Sequence, residues 1–323
     1  MKKICVATGT RAEYGLLKSL IRKIQDDLEL LLCVTGSHLS EEFGFTYQEI
    51  EADGYKIDEK IDMELVSDDP VGITKSMSLA LTGFARVFTK HRPDLVILLG
   101  DRYEMLAVAS AAIICKIPIA HLYGGEATYG AIDEAIRHAI TKMSHLHFTA
   151  TEPYRKRVIQ LGEEPSRVFN VGAIGVENIR NMHCMTKETL EKDLDISLDK
   201  KAILVTYHPV TLEDGTAEEQ FGNLLESLRG FKDIKIIFTK ANADTNGKAI
   251  NRMIDVYAEE NNNQAAAFAS LGATRYLSLL NYVDAVVGNS SSGIVEVPSF
   301  HIPTVNIGDR QKGRIQASTV INC

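Results

Sequence analysis

Several apolar runs in this sequence end abruptly in side chains that can move protons or hold anions. Leu95-Val-Ile-Leu-Leu-Gly-Asp-Arg-Tyr-Glu104 sets an acid and a base side by side. Asp101 can exchange a proton while Arg102 holds a phosphate, although an Asp at this place could equally cap the following helix. Ile117 to His138 is the richest stretch: an apolar run, Gly124 and Gly125, Glu126, Gly130, then a helical segment whose first turn carries Asp133 and Glu134. Carboxylates facing a dry cleft can be tuned to exchange protons near neutral pH. The plainer reading lets Asp133 and Glu134 complement a helix dipole, with Arg137 and His138 capping or pairing elsewhere. Ile4 to Gly15 reads as strand, turn and helix start with Arg11 near free amides, ground suited to a phosphate. It lacks the glycine spacing of a dinucleotide fingerprint or a P-loop.

The second half offers a different set. His208 directly follows the run at Leu204 to Thr206, with Pro209 fixing the turn, and can donate to a phosphate or relay a proton. Asn242, after the run ending at Thr239, is a possible phosphate or base contact and equally an ordinary turn residue. Asp284 to Glu296 delivers Ser290, Ser291 and Ser292 into a helix start, which resembles a diphosphate cradle more than an ordinary Ser-capped helix. Glu296, one turn into that helix, can accept from the two hydroxyls of a ribose, and Arg310 can close over the ligand. His145 and His147 point the same way on a strand, but no third ligand at suitable spacing follows, so no metal is assigned.

Those residues need elements to position them. Short runs rich in Val, Ile and Leu (Ile4 to Thr8, Leu28 to Val34, Leu95 to Leu99, Ile117 to Leu122, Leu146 to Thr149, Ala202 to Thr206, Ile234 to Thr239, Ala285 to Val287, Thr304 to Ile307) read as strands covered on both faces. Segments of helical period alternate with them, among them Glu13 to Asp26, Pro70 to Lys90, Tyr103 to Cys115, Ala131 to Lys142 and Gly247 to Glu260. Alternation of this kind predicts parallel α/β sheets, and the series runs twice. The expected architecture is two Rossmann-like, doubly wound α/β domains, 1–180 and 181–323, facing across a cleft, with functional residues just beyond the carboxyl ends of strands.

The 323 residues are 45% hydrophobic and 24% charged, a globular composition that excludes disordered and fibrous classes. A net charge of −8 lacks the basic footprint of a nucleic-acid binder, so an anionic ligand must meet local cations. Five cysteines without a C-x-x-C spacing read as reduced packing residues. No apolar run approaches the ~18 residues of a membrane span, and Ile4 to Ala7 is too short for a signal-peptide core, which predicts a soluble, cytoplasmic protein.

Taken together, Thr10-Arg-Ala-Glu-Tyr14, Gly100-Asp-Arg102, Gly124-Gly-Glu126, Ile132 to Lys142, His208-Pro-Val-Thr211, Asn289-Ser-Ser-Ser-Gly293 and Arg310-Gln-Lys-Gly-Arg314 resemble the hydrolysing UDP-N-acetylglucosamine 2-epimerases, particularly the branch that starts sialic acid synthesis. The resemblance runs from Ile4 to Arg314. It implies a GT-B-like pair of domains, a homodimer, no cofactor, a nucleotide held chiefly on the C-terminal domain, and reacting carboxylates on the N-terminal one. Asp101 and Asp133 fall on the family's catalytic acid positions. Arg11, Arg102, His208, Asn242, Ser290, Ser291, Glu296 and Arg310 match its nucleotide and diphosphate contacts, and His208 is implied to assist departure of the diphosphate. Where some members carry a catalytic Glu two residues before the end of the Gly-Gly pair this chain has Tyr123. A phenol of pKa near 10 is a poor base, so that duty passes to Glu126 or another carboxylate, or Tyr123 donates a proton instead. The family also continues past Cys323 with final helices, which this chain is expected to lack.

The implied reaction expels UDP from C1 as the C2 proton leaves, giving a 2-acetamidoglucal, and then adds water to give N-acetylmannosamine. A GDP- or UDP-linked diacetamido-trideoxy sugar suits the same chemistry. A GT-B glycosyltransferase would share the nucleotide cradle but has no need of acids around C1 and C2, and a non-catalytic nucleotide-sugar binding protein is the third class.

Overall fold

The computed structural model describes residues 1–210, 216–241 and 247–323. Its chain forms two compact units, one made of Met1–Glu126 and Ile132–Ile174, the other of Ala127–Ala131 and Gly175–Cys323. The sequence reading put the division at 180/181, in a polar stretch where a helix now runs over Lys187–Leu194.

The first unit holds seven strands, β1 (Lys3–Thr8), β2 (Glu29–Thr35), β3 (Glu59–Ile61), β4 (Leu95–Leu99), β5 (Ile119–Leu122), β6 (Leu146–Thr149) and β7 (Val168–Asn170). They form one parallel sheet in the order β3-β2-β1-β4-β5-β6-β7. Alternate residues of the central strands go to opposite faces, as strand geometry requires. Cys5, Ala7, Cys33, Val96 and Leu98 pack with Phe84, Phe88, Met105 and Val108 on one side. Ile4, Val6, Leu32, Val34, Ile97 and Leu99 pack with Tyr14, Leu17 and Ile21 on the other. Both faces being covered, these strands carry apolar residues at consecutive positions through their middles, which is why they stand out in the sequence. Cys5 and Cys33 lie with their sulfurs 3.7 Å apart as free thiols.

Helix starts are locally encoded. Asp69 accepts from the amides of Val71 and Gly72 at the head of the helix Pro70–His91, and Pro70 lacks only a donor that the first turn cannot use. Thr10 and Glu13 form a reciprocal capping box on the helix Arg11–Asp27.

The second unit holds β8 (Lys201–Thr206), β9 (Ile234–Thr239), β10 (Ala265–Phe268), β11 (Ala285–Gly288), β12 (Thr304–Asn306) and β13 (Val320–Asn322), again all parallel, in the order β10-β9-β8-β11-β12-β13. Val205, Tyr207, Phe221, Ile236 and Phe238 build one core, and Leu204, Ile237, Leu277, Leu280 and Val286 the other.

Strand order reverses between β1 and β4 in the first unit and between β8 and β11 in the second. Neighbouring strands there send their following loops to opposite sides of the sheet, opening a crevice at the carboxyl ends. The loops at these two places are Gly9-Thr10-Arg11 with Gly100-Asp101-Arg102, and Tyr207-His208 with Asn289-Ser290. Among the described residues no helix is long and apolar enough to cross a membrane.

Candidate active site

In the first unit β4 ends at Leu99 and the chain turns through Gly100, whose φ of +77° is open to glycine at little cost. His121 braces this turn from β5, its Nε2–H donating to the Gly100 carbonyl (2.7 Å) while Nδ1 faces the Thr141 hydroxyl (3.1 Å). Burial pushes the His121 pKa down to about 4, so the ring is neutral and can keep this donor and acceptor arrangement. Asp101 follows, and it does not cap the next helix. The N-cap of Tyr103–Cys115 is Arg102, with no side-chain cap bond. Asp101 forms instead a close ion pair with Arg137.

Arg137 organises the site. Its side chain is 1% exposed, and it also binds Glu134 (2.7 Å) and the backbone carbonyl of Glu126 (3.0 Å). Burial opposes its charge, but Asp101, Glu126 and Glu134 more than offset that and raise its pKa. A single guanidinium therefore gathers the ends of β4 and β5 and the first turn of the helix Asp133–Met143. Asp133 is the first residue of that helix, half-buried, and Glu134 beside it also meets His138 at 3.1 Å. Glu126 is buried. Sequence reading gave Arg137 no role beyond capping or pairing; its spacing of three from Glu134, one helical turn, was the available signal.

Tyr123, at the position where the family resemblance departs, has a φ of +67°, a left-handed conformation uncommon for a non-glycine residue. Its amide donates to the Phe148 carbonyl at 2.9 Å. Such strain of roughly 1–2 kcal/mol is found where function fixes the backbone.

Arg11 opens the helix behind β1 and is half-buried. Below it, Glu13 takes the amides of Gly9 (2.7 Å) and Thr10 (3.2 Å) on one oxygen, while the other is buried with no hydrogen-bond partner. Burial, aided by the charge of Glu104, raises the Glu13 pKa to about 8, against the pull of Arg102 and the two amides. A carboxyl whose folded pKa lies above its unfolded value stabilises the fold fully below the unfolded pKa of 4.5 and loses that contribution as pH rises through about 8. We therefore expect the unfolding free energy to fall between pH 5 and 9 by on the order of 4 kcal/mol through this group alone. In Glu13→Gln that fall disappears, as urea unfolding at several pH values would reveal; parallel pH profiles for the two proteins would contradict the assignment.

His147, on β6, and His145, just before it, have structural partners: His147 is buried against Glu163 (3.1 Å), and His145 Nδ1 accepts from the Ile119 amide (3.3 Å). No cluster with metal-binding composition occurs among the described residues.

In the second unit Asn289 is the corresponding hub. It is fully buried, its side-chain oxygen accepting from the His208 amide and its nitrogen donating to the His208 carbonyl, both at 2.7 Å. Its own carbonyl accepts from Arg310 (3.2 Å) and Gln311 (2.8 Å). One Asn thus draws together His208, Ser290 and Arg310 from three loops. Gly288 allows it, since a Cβ there would lie 1.9 Å from the Thr206 carbonyl.

The Ser-rich segment differs from expectation. The helix Ser291–Val295 is a single turn; the Ser290 hydroxyl is taken by the Ser292 amide, and the Ser292 hydroxyl accepts from Tyr276 (2.7 Å). The hydroxyls are thus partly used in holding the loop, and Ser291 is the exposed one. Glu296 is the C-cap of that turn, half-buried, with burial raising its pKa and Ser292 partly opposing. Asn242 lies outside the described residues.

Residues 127–131 are part of the second unit. The Tyr129 amide donates to the Lys312 carbonyl (3.0 Å), and a Cβ on Gly130 would stand 2.3 Å from the Asp309 carbonyl. Glu126 and Asp133 flank this short segment in the chain.

Residues 22–323 match the family described as UDP-N-acetylglucosamine 2-epimerase. The chain belongs to that family. It is 50% identical over 323 residues to the GDP/UDP-N,N'-diacetylbacillosamine 2-epimerase (hydrolyzing) of Campylobacter jejuni, covering 99% of this chain and 84% of that protein. Identity to the polysialic acid biosynthesis protein P7 of Escherichia coli is 42%, across 100% of this chain and 82% of the relative. The UDP-GlcNAc 2-epimerase from Neisseria meningitidis, solved bound to UDP-GlcNAc, superposes with a TM-score of 0.76 at 19% identity, covering 97% and 84% of the two chains. The fold is the GT-B-like pair of parallel α/β domains, and the chain is a family member of the hydrolysing 2-epimerase type.

Proposed function

We propose that this protein is a hydrolysing 2-epimerase whose substrate is a UDP- or GDP-linked diacetamido-trideoxy sugar of the N,N'-diacetylbacillosamine type. The observation carrying this choice of sugar is the 50% identity, over nearly the whole chain, to a relative named for that activity.

The chemistry suits the two clusters. In the first step the C1–O bond breaks with its electron pair passing to the diphosphate, the C2 proton passes to a carboxylate, and a C1–C2 double bond forms. The C2 hydrogen is weakly acidic, so its removal accompanies the growth of positive charge at C1, which a carboxylate also stabilises. Asp101 and Asp133, with Glu126 as a third acid, are the groups we assign to this proton traffic. Water then adds hydroxyl to C1 and a proton to C2 from the opposite face. The leaving diphosphate needs fixed positive groups, because each ~1.4 kcal/mol of added transition-state stabilisation is roughly tenfold in rate. Arg11, Arg102, His208, Ser290, Ser291 and Arg310 are assigned there, Glu296 to the ribose and Asn242 to the nucleotide, with His208 also assigned to assist departure of the diphosphate. No cofactor is required. The family resemblance extends the proposal to a cytoplasmic homodimer.

Conversion of UDP-N-acetylglucosamine to N-acetylmannosamine, feeding sialic acid synthesis, is the second reading, favoured by the relative named for polysialic acid biosynthesis. Initial rates of nucleotide release from UDP-N-acetylglucosamine and from the UDP- and GDP-linked diacetamido sugars decide between them. We expect kcat/KM at least about tenfold higher for a diacetamido sugar; a preference for UDP-N-acetylglucosamine would overturn that choice.

A further inference from the structure

Beneath the loops of β1 and β4 lies a buried acid, Glu104, to which neither the family assignment nor the reaction gives a role. Glu104, in the first turn of the helix Tyr103–Cys115, has no exposed surface. Both of its oxygens face Arg102 Nε, at 3.2 and 3.1 Å, and one also takes Arg102 Nη2 at 3.0 Å. The Arg102 side chain is only 11% exposed. Gly9 closes the cluster: a Cβ there would come within 3.4 Å of Glu104 Cβ and 3.5 Å of the nearer Glu13 oxygen.

A residue two positions along from an arginine at a helix N-cap rarely shares a face with it. Here the extended backbone of Arg102 (φ −77°, ψ 152°) lets its side chain fold over the first turn onto Glu104. A forked pair fixes the plane of a guanidinium in a way a single contact cannot. We propose that Glu104 is a positioning residue, whose buried carboxylate holds the Arg102 guanidinium at the β1/β4 crevice in the orientation that receives the diphosphate of the substrate. The inference rests on the proposed function, from which the diphosphate comes.

The neighbouring charges agree with this role. A negative charge under an anion site is costly unless it is neutralised, and Glu104 is matched by Arg102 itself. Glu13, the second acid in the cluster, is pushed toward its protonated form by burial and by Glu104. The cluster therefore supports an oriented cation without an uncompensated second anion behind it.

A double-mutant cycle on nucleotide affinity tests this. UDP and GDP are titrated into the wild type by calorimetry and the tighter one is carried through Arg102→Ala, Glu104→Gln and the double variant, with the matching nucleoside as control and thermal unfolding as a check of folding. Glu104→Gln should weaken the diphosphate on the order of tenfold, leave the nucleoside unchanged, and have no further effect once Arg102 is Ala. Should Glu104→Gln fail to fold, Glu104→Asp, which keeps the charge and shortens its arm, takes its place with the same expectation. Equal losses in both Arg102 backgrounds, or a loss shared by the nucleoside, would overturn the inference, as would unchanged affinity in Glu104→Gln beside a loss in Arg102→Ala, which leaves the proposed function standing. A wild type that binds neither nucleotide would remove the proposed function and the inference with it.

Discussion

Asp101→Asn is expected to lower turnover by roughly a hundred- to ten-thousand-fold, the span typical of a positioned acid or base, while nucleotide affinity stays within about twofold of the wild type. The amide keeps the shape of the carboxyl but cannot take a proton or stabilise positive charge at C1. Because Arg137 loses one of its anionic partners in this variant, urea unfolding must accompany the kinetics; Glu134 and the Glu126 carbonyl still hold the guanidinium. Rates of nucleotide release at saturating substrate, together with calorimetric affinities, measure both parts. A folded variant with a near-normal rate would take Asp101 out of the chemistry.

The second large effect belongs to Arg137. Arg137→Met fills much the same volume but leaves Asp101 and Glu134 facing one another without the guanidinium between them. Removing one side of a buried ion pair costs about 3–5 kcal/mol, and we expect a loss of that order together with loss of turnover. The sign of its pH dependence follows. Without Arg137 the two carboxylates lose their counter-charge and repel one another, so stability is recovered at low pH, where that negative charge is relieved, and lost as pH increases. Unfolding midpoints at pH 5 and pH 8 should therefore differ more in Arg137→Met than in the wild type. A loss below about 1 kcal/mol at pH 8 would show that the hub does not hold the site together.

How much of this was legible in the sequence can be seen strand by strand. The nine apolar runs all became strands, because parallel strands buried on both faces carry apolar residues at consecutive positions. The four strands without such a run are β3, β7, β10 and β13, and these are the four outer strands of the two sheets. Glu59-Lys-Ile61 and Val168-Phe-Asn170 are short and partly solvated, with one neighbour each, so their pairing is dictated by the adjoining strand rather than by their own residues. The loops of the candidate site were legible for a related reason: each follows a strand directly.

The connections among those loops were not. Arg137 and Asn289 act through contacts 36 and 81 residues away, and neither distance has a period that a sequence displays. Asp101 as a helix cap and Arg137 as a residue capping or pairing elsewhere were both reasonable from local spacing; the ion pair between them settles the two together. The single-turn helix after Ser290 eluded the reading because three serines and a glycine look the same before one turn of helix as before four.

The central claim is that a carboxylate of this protein removes the proton at C2 as the nucleotide leaves C1. It is tested most directly by incubating the enzyme with the best nucleotide sugar in heavy water and following the released sugar by NMR. The account predicts free sugar of the manno configuration carrying deuterium at C2 after a single turnover. Release of a sugar that keeps its original C2 hydrogen would contradict it.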